Sequence, residues 1–515
     1  MAGTCQTNRS LSRRTFLVSA TAAMTAASCA TPRSRVLGDK PPNIVIILAD
    51  DFGVGDIAAL NEGRGIPTPC LDHFVSQSMS FTDAHSASAV CSPTRYGLLT
   101  GRYCWRTCLQ SWVLDAYEPP LIAEDRLTLP KMLKKHGYAT ACIGKWHLGS
   151  VWAGEGEARK KKADFSVPIQ QGPITRGFDY YFGTEVPNFP PFTFIENDHV
   201  LVQPTDQMPE NDASVHVGFQ GAPMAPGWKF DEILPTLTSK CAAYIHEQAQ
   251  SKQPFFLYFP MTSPHEPVSP SGAFKGKSGI APIADFLMET DWSAGQVLGA
   301  IDAAGISDNT IVIFAGDNGH SAYTGFDVLV QHGHMPSGPY RGHKGEIWEG
   351  GHRVPFIVRW PGKVAPGSSC DQLACLNDVM ATCAELVGAK LPEDSAEDSV
   401  SLLPALLGRA EAPLREALVH HDVKGQFAIR QGPWKLVILA GKDSPPAFEL
   451  YDLGRDIAEA RNVAGQHADV VARMLKLLDE YVAKGRSTPG PQQANDTLDI
   501  DVRHIPKERW ARPRT

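Results

Sequence analysis

The 515-residue sequence predicts an α/β fold, a doubly wound and mostly parallel sheet flanked by helices, followed by a smaller C-terminal α+β domain. Three observations carry that prediction. Five short apolar runs are continuous rather than alternating, as expected of strands covered on both faces. Amphipathic stretches lie between them, giving strand–helix alternation. Four of the runs end in clusters of chemically capable polar residues, and ligands of such sheets sit beyond the carboxyl ends of strands.

The elements follow in order. Asn43-Ile44-Val45-Ile46-Ile47-Leu48-Ala49 ends in Asp50-Asp51. Ala139-Thr140-Ala141-Cys142-Ile143 runs into Gly144-Lys145-Trp146-His147, and Phe255-Phe256-Leu257-Tyr258-Phe259 is followed by His265. Ile311-Val312-Ile313-Phe314-Ala315 precedes Asp317-Asn318-Gly319, and Pro355-Phe356-Ile357-Val358 follows a charged turn around Lys344. A helix is expected from Leu127 to His136, with Leu129, Met132 and Leu133 inward and Gly137 as terminator. A second is expected from Asp291 to Ala303. In Cys91-Ser92-Pro93-Thr94-Arg95, Ser92 suits a helix cap and Pro93 a first helical position. Cys91 would then face the anion-favouring end of a helix, with Arg95 one turn on.

Beyond about residue 400 the texture changes. Phe427 to Leu439 reads as two strands around Gly432-Pro433, Phe448 to Asp452 as a third, and Ala468 to Ala483 as an amphipathic helix. From Ser487 the chain is Pro-rich and charged, the composition of a surface tail. The expected boundaries are a signal region over 1–30, a linker over 31–40, a catalytic domain over 41–400 and the α+β domain with its tail over 401–515.

Composition excludes whole classes. Hydrophobic residues at 43% and charged residues at 20% rule out a disordered or fibrous chain. A net charge of −8 lacks the basic surplus of a dedicated nucleic-acid binder. Ser12-Arg13-Arg14-Thr15-Phe16-Leu17, followed by a mild apolar stretch to Ala27, reads as a twin-arginine export signal too short to span a bilayer. Periplasm or cell envelope is the expected location, with the twin-arginine machinery as a partner. Ala26-Ala27-Ser28-Cys29 also fits a lipoprotein site, which would anchor the protein to a membrane through Cys29; simple cleavage after Ala30 is the alternative. Nine of the 11 cysteines lie beyond this region, odd in number and scattered, which is not a disulfide framework.

Cys91-Ser92-Pro93-Thr94-Arg95, followed by Gly101-Arg102, resembles the maturation signature of the type I sulfatases, whose cysteine is oxidised to formylglycine. Gly137 to His147 resembles the family's second signature, Asp50-Asp51 and Asp317-Asn318 its metal pairs, and Gly342-His343-Lys344-Gly345 with Glu349-Gly350-Gly351 its late lysine loop. Glu449-Leu450-Tyr451-Asp452 is similar to a strand of its C-terminal domain. The resemblance runs in order from residue 41 onward and implies an alkaline-phosphatase-like catalytic fold.

The residues carry the same chemistry by themselves. Asp50, Asp51, Asp317 and Asn318 offer oxygen ligands, which suit a hard divalent ion. The resemblance implies Ca²⁺ first and Mg²⁺ second, with the modified Cys91 beside it. Lys145, Lys344 and Arg95 supply positive charge, and His147 and His265 are proton carriers. By resemblance, hydrated formylglycine at position 91 attacks sulfur, and His265 with Lys344 assists the leaving oxygen. His147 takes the proton whose loss expels sulfate, and Lys145 with Arg95 neutralises charge in the transition state.

The expected activity is therefore sulfate-ester hydrolysis, with a sulfated carbohydrate as substrate and a formylglycine-generating enzyme as maturation partner. Two alternatives share these residues: a formylglycine-dependent phosphonate monoester or phosphodiester hydrolase, and an unconverted sulfated-glycan binder. Two departures from the family pattern, Val54 and the long segment from His320 to Arg341, concern the outer pocket. That segment is expected to fold over the mouth of the site, with His334 and Arg341 on the substrate. The aromatic Phe189 to Phe194 stretch offers stacking faces or a packed loop.

Overall fold

The computed structural model describes residues 40–61, 65–209, 219–441 and 445–514. The export signal and Cys29 lie outside the described residues. Five parallel strands form the centre of a ten-stranded sheet, in the order Thr310–Gly316, Asn43–Ala49, Phe255–Pro260, Ala139–Lys145 and Tyr180–Thr184. Phe356–Arg359 joins one side antiparallel and carries Met79–Phe81 and Ser368–Cys370 beyond it; two short antiparallel strands close the other side. The expected α/β sheet is present, and the strand after Lys344 runs against its neighbours. Its start therefore lies at the same edge as the carboxyl ends of the parallel strands.

Both faces are covered, which is why the runs are continuously apolar. Val45, Ile47 and Ala49 pack in a core with Leu71, Leu237, Leu287 and Val297, while Ile44, Ile46 and Leu48 are equally buried on the reverse face. Helices Pro69–Ser76, Ile233–Ala249 and Pro282–Ala303 supply the first of these cores. The last begins at Pro282, well before the expected Asp291, because its first turns are buried nearly all round and show no stripe. Leu129–Lys135 forms as expected and Gly137, at φ 87°, follows its end.

Lys40–Thr515 is one compact unit, and residue 400 marks a change of sheet within it. Leu418–His421, Phe427–Gln431, Trp434–Leu439 and Ala447–Asp452 make a four-stranded antiparallel sheet backed by Ala468–Lys484. The stretch after Ser487 is not a free surface tail. Asp496 donates its N–H to the Arg106 carbonyl at 2.8 Å, and Leu109 pairs with Trp510 as an antiparallel bridge. Nine cysteines in the described residues are free, in line with the absence of a disulfide framework.

A buried charged joint connects the small sheet to the short helix Glu349–His352, which leads into the strand Phe356–Arg359. Lys435, on the small sheet, sits 3.0 Å from Glu349, 2.8 Å from Glu459 and 3.1 Å from His352 Nε2. His352 stacks on His420 with ring centroids 3.7 Å apart, and His85 meets His352 through its Nδ1 at 3.1 Å. An ammonium already occupies the cationic position of this cluster. Burial pulls the pKa of His85, His352 and His420 down, so the folded chain holds them neutral.

Two predictions follow from the joint. Lys435→Met leaves Glu459 buried without its cation and Glu349 with Arg353 alone, at 2.7 Å, and should cost about 3–5 kcal/mol in denaturant unfolding. Below the ordinary histidine pKa of about 6.5 the unfolded chain takes up protons that the folded chain refuses, so stability is full above that pH and falls below it. His420 has no hydrogen-bond partner on either ring nitrogen. His420→Phe should therefore flatten the acid slope of unfolding free energy by roughly 1.4 kcal/mol per pH unit, one proton's worth.

Candidate active site

The site is assembled where the parallel strands end, and backbone pairing continues past the strands to hold it. Asp50 N–H donates to the Ser263 carbonyl at 2.9 Å, Asp317 N–H to the Ala49 carbonyl at 3.0 Å, and His147 N–H to the Glu185 carbonyl at 3.0 Å. Asp51 and His147 take left-handed backbone conformations, φ 62° and 52°, which turn their side chains out of strand alternation. The helix beside them spans Cys91–Thr100 and stops at Gly101, φ 69°. It begins two residues earlier than its expected cap at Ser92 implies. Ser92 Oγ instead accepts the Leu114 N–H at 3.1 Å, tying a distant segment to the residue next to Cys91.

Three buried carboxylates meet three cations here. Lys145 Nζ lies 2.6 Å from Asp50, Lys344 Nζ 2.6 Å from Asp51, and Arg95 Nη2 2.7 Å from Asp317 and 3.4 Å from Asp50. Cys91 Sγ is 3.6 Å from Asp50 Oδ1, and His265 Nε2 is 4.0 Å from Asp51. Burial pushes Asp50 up, but Lys145, then His265 and Arg95, hold it well below the usual carboxylate range. Asp317 is pushed the other way by burial and by Asp50. Burial raises the Cys91 thiol to about 12, against the pull of Lys145 and Lys344, so the unmodified cysteine is a poor nucleophile.

The oxygen donors fit a divalent cation. Asp50, Asp51, Cys91 and His265 place ligand atoms within 4.8 Å of one another. Asn318 donates from Nδ2 to Asp51 at 2.9 Å, and its buried Oδ1 has no partner. An orphaned carbonyl oxygen beside three carboxylates is a ready ligand for a hard ion.

Both candidate proton carriers have defined tautomers. His147 Nε2 meets the Leu114 carbonyl at 3.0 Å, so Nε2 carries the proton and the buried, unpartnered Nδ1 the lone pair. His265 Nδ1 donates to the Glu266 carbonyl at 2.6 Å, which leaves Nε2 toward Asp51. Burial, then Lys145, lowers His147 well below the ordinary value and His265 to about 4.

Similarity to known proteins places the chain in a family. The sulfatase profile matches residues 42–389, and the C-terminal profile of N-sulphoglucosamine sulphohydrolase matches 343–484. The chain belongs to the sulfatase family. It is 32% identical to an N-acetylgalactosamine-6-O-sulfatase of Bacteroides thetaiotaomicron, over 92% of this chain and 99% of that one. Human arylsulfatase A is 32% identical over 86% of this chain and 87% of its own. A solved Bacteroides thetaiotaomicron protein of multiple-glycosaminoglycan metabolism superposes with a TM-score of 0.77 at 33% identity, covering 86% of this chain and 99% of that one. The phosphonate monoester hydrolase of Agrobacterium radiobacter, at 18% identity and a TM-score of 0.57, shares the fold. This sulfatase is a sulfuric ester hydrolase.

The segment between Asn318 and Lys344 differs from expectation. His334 is fully buried; its Nε2 meets Asp56 at 2.8 Å and its Nδ1 accepts the Ile66 N–H at 3.1 Å, so no ring nitrogen remains for a substrate. Asp56, outside the expected site, also holds His320 Nδ1 at 2.8 Å, and the His320 carbonyl receives the Lys344 N–H at 3.0 Å. Its position in a glycine-rich turn after the metal pair was the available signal. Arg341 turns toward the small sheet, 3.9 Å over Trp348 and bonded to the Tyr451 hydroxyl and Glu459 carbonyl. Both residues support the lysine loop from outside the mouth. Gly350 and Gly351 let that loop settle: a Cβ on either would lie within 2.2 Å of the Gly342 or Glu346 carbonyl oxygen.

His334→Ala should accordingly lower the unfolding temperature and reduce turnover equally on a small aryl sulfate and a sulfated sugar. Steady-state kinetics on both substrates check this, and a loss confined to the sugar would return the ring to the pocket.

Proposed function

We propose that this enzyme removes sulfate from a sulfated amino sugar of the glycosaminoglycan class, using a formylglycine made from Cys91. The observation that carries the substrate class is the near full-length match to the N-acetylgalactosamine-6-O-sulfatase. The assignment of Cys91 rests on its place beside Asp50, Lys145 and Lys344, together with its maturation-type motif.

Asp50, Asp51, Asp317 and Asn318 are the proposed holders of one divalent cation, Ca²⁺ by preference over Mg²⁺. Bound there, it supplies Lewis-acid polarisation and two positive charges. Conversion of Cys91 supplies an oxygen nucleophile in place of a buried thiol. The chain's own groups do the rest. Three cations facing three carboxylates leave little net attraction for an anion, so the added ion makes the site favourable for a sulfate ester. Lys145, Lys344 and Arg95 neutralise charge as it grows on the sulfuryl oxygens. His265, with Lys344, protonates or stabilises the departing alcohol oxygen; an incoming anion raises the pKa of His265, which favours that role. His147 Nδ1 takes the hydroxyl proton at position 91 as sulfate leaves, and the Leu114 carbonyl supports the imidazolium that forms.

Twin-arginine export of the folded, matured protein is the proposed route, to the periplasm or envelope, with Cys29 as the candidate site of lipid attachment and a formylglycine-generating enzyme as partner. Among the described residues no helix is long and apolar enough to cross a membrane.

Cys91→Ala should fold, with an unfolding temperature near that of the parent, and lose at least about a thousandfold in kcat/KM on an aryl sulfate. Chelation should abolish turnover and lower the unfolding temperature, and Ca²⁺ should restore both. A panel of sulfated hexosamines and matched phosphate diesters tests the substrate class. Faster turnover of the diesters would favour the phosphodiesterase alternative.

A further inference from the structure

We propose that the C-terminal strap, residues 505–514, is part of the active-site scaffold, in which Arg509 and Trp510 act as positioning residues for His147. This inference rests on the sulfatase reading above. The strap runs antiparallel to the start of the segment 108–118. Ala511 N–H donates to the Cys108 carbonyl at 2.7 Å, Gln110 N–H to the Arg509 carbonyl at 2.8 Å, and Leu109 pairs with Trp510. The Arg509 side chain then reaches across the segment. Nη1 donates to the Val113 carbonyl at 2.8 Å and Nη2 to Glu118, which also accepts the Trp510 indole N–H at 3.2 Å.

Between those two anchor points lies Leu114, the residue that touches the chemistry on both sides. Its N–H reaches Ser92 Oγ at 3.1 Å and its carbonyl meets His147 Nε2 at 3.0 Å. Glu118 reaches the same strand end through its carbonyl, which accepts the Ser150 N–H at 3.1 Å. The segment holds itself only in part: Glu118 accepts the Asp115 N–H at 2.7 Å and donates its own N–H to the Asp115 carbonyl at 3.3 Å, bonds that lie on one side of Leu114. Trp112 and Tyr117, which flank Leu114, both have left-handed backbones, φ 64° and 60°, uncommon and costly for bulky residues. Such conformations persist only where the surroundings over-determine them. Arg509 supplies two fixed donors, one on each side of Leu114, and a planar guanidinium suits that role better than a flexible ammonium. Loss of the clamp would let the Leu114 carbonyl drift. The imidazole would then no longer be locked with its lone pair on Nδ1, and proton removal would slow while substrate binding stayed intact.

The test uses the full-length, matured enzyme with Arg509→Ala, Arg509→Lys, Trp510→Phe and, as a control, Glu508→Ala, whose side chain is exposed. Turnover of an aryl sulfate is measured per formylglycine-containing molecule, with thermal unfolding alongside. Arg509→Ala should lower kcat about tenfold or more with KM within about twofold, since only a transition-state interaction is weakened. An initial burst of released alcohol should survive ahead of slow turnover, because the step after alcohol release is the one impaired. Arg509→Lys should recover part of kcat, Trp510→Phe should lose about threefold, and Glu508→Ala should match the parent. Parental kcat per matured molecule in Arg509→Ala, or a raised KM with unchanged kcat, overturns the proposal. Should Arg509→Ala fail to fold, Trp510→Phe and Glu118→Gln carry the same kcat-against-KM comparison. Failure of the underlying reading looks different: Cys91→Ala would keep its activity, whatever the strap variants do.

Discussion

Asp50, Asp51 and Asp317 stand within a few ångströms of one another at the ends of two adjacent strands, out of reach of water. No arrangement of the surrounding fold makes sense without the charges that answer them. Taking a carboxylate out of solvent costs several kcal/mol, and repulsion between neighbouring carboxylates adds to that. Lys145, Arg95 and Lys344 offset the cost from three separate elements: a strand end, a helix and a late loop. The requirement explains why each of these elements is pinned by its backbone. Arg95 also donates to the Lys145 carbonyl at 3.0 Å, so two of the cations are fixed relative to each other before any ligand enters.

Around this centre a second set of buried charges does the positioning. Asp56 is held low by His320 and His334 against the upward push of burial, and through the His320 carbonyl it sets the Lys344 backbone. The small sheet contributes from the other side. Ala89 N–H donates to the His421 carbonyl at 3.0 Å, while the Gly345 N–H donates to Ala89 at 2.9 Å and Val423 N–H to Gly345 at 3.2 Å. The approach to Cys91 and the lysine loop thus share one edge of the C-terminal sheet. The Glu349–Lys435 joint lies directly behind Gly350 and Gly351, against which that loop packs.

Much of this was legible in the residues. Continuous apolar runs identified the parallel strands because burial on both faces leaves no polar alternation to find. Acidic and amide residues just past two of those runs come together because strand ends of a parallel sheet converge, which made them readable as candidate oxygen ligands. His334 and Arg341 were misplaced for a physical reason. A histidine next to a cation loop looks the same in sequence whether its partner is a substrate or an aspartate 278 positions earlier. The strap was missed because its composition describes side chains, whereas its main anchors are backbone groups of Cys108, Gln110 and Arg509. Ser92 followed the same logic: the local pattern favoured a cap, and a tertiary donor from Leu114 took its oxygen instead.

These misreadings point to a common division of labour. Groups meant to meet a small anion are short-range in sequence pattern, because strand ends deliver them and each motif can be read alone. Groups that fix orientation join segments far apart in the chain, and a single sequence carries no sign of their pairing. His147 illustrates both halves. Its place after a strand was readable, but the base role proposed for it depends on which nitrogen bears the proton, and a carbonyl at Leu114 fixes that. Leu114 is in turn held by Ser92, next to Cys91 on its helix, so His147 and Cys91 are referenced to one residue through the two peptide groups that flank its Cα. A shift of that residue acts on both contacts at once, which ties their relative geometry more closely than two unrelated supports would.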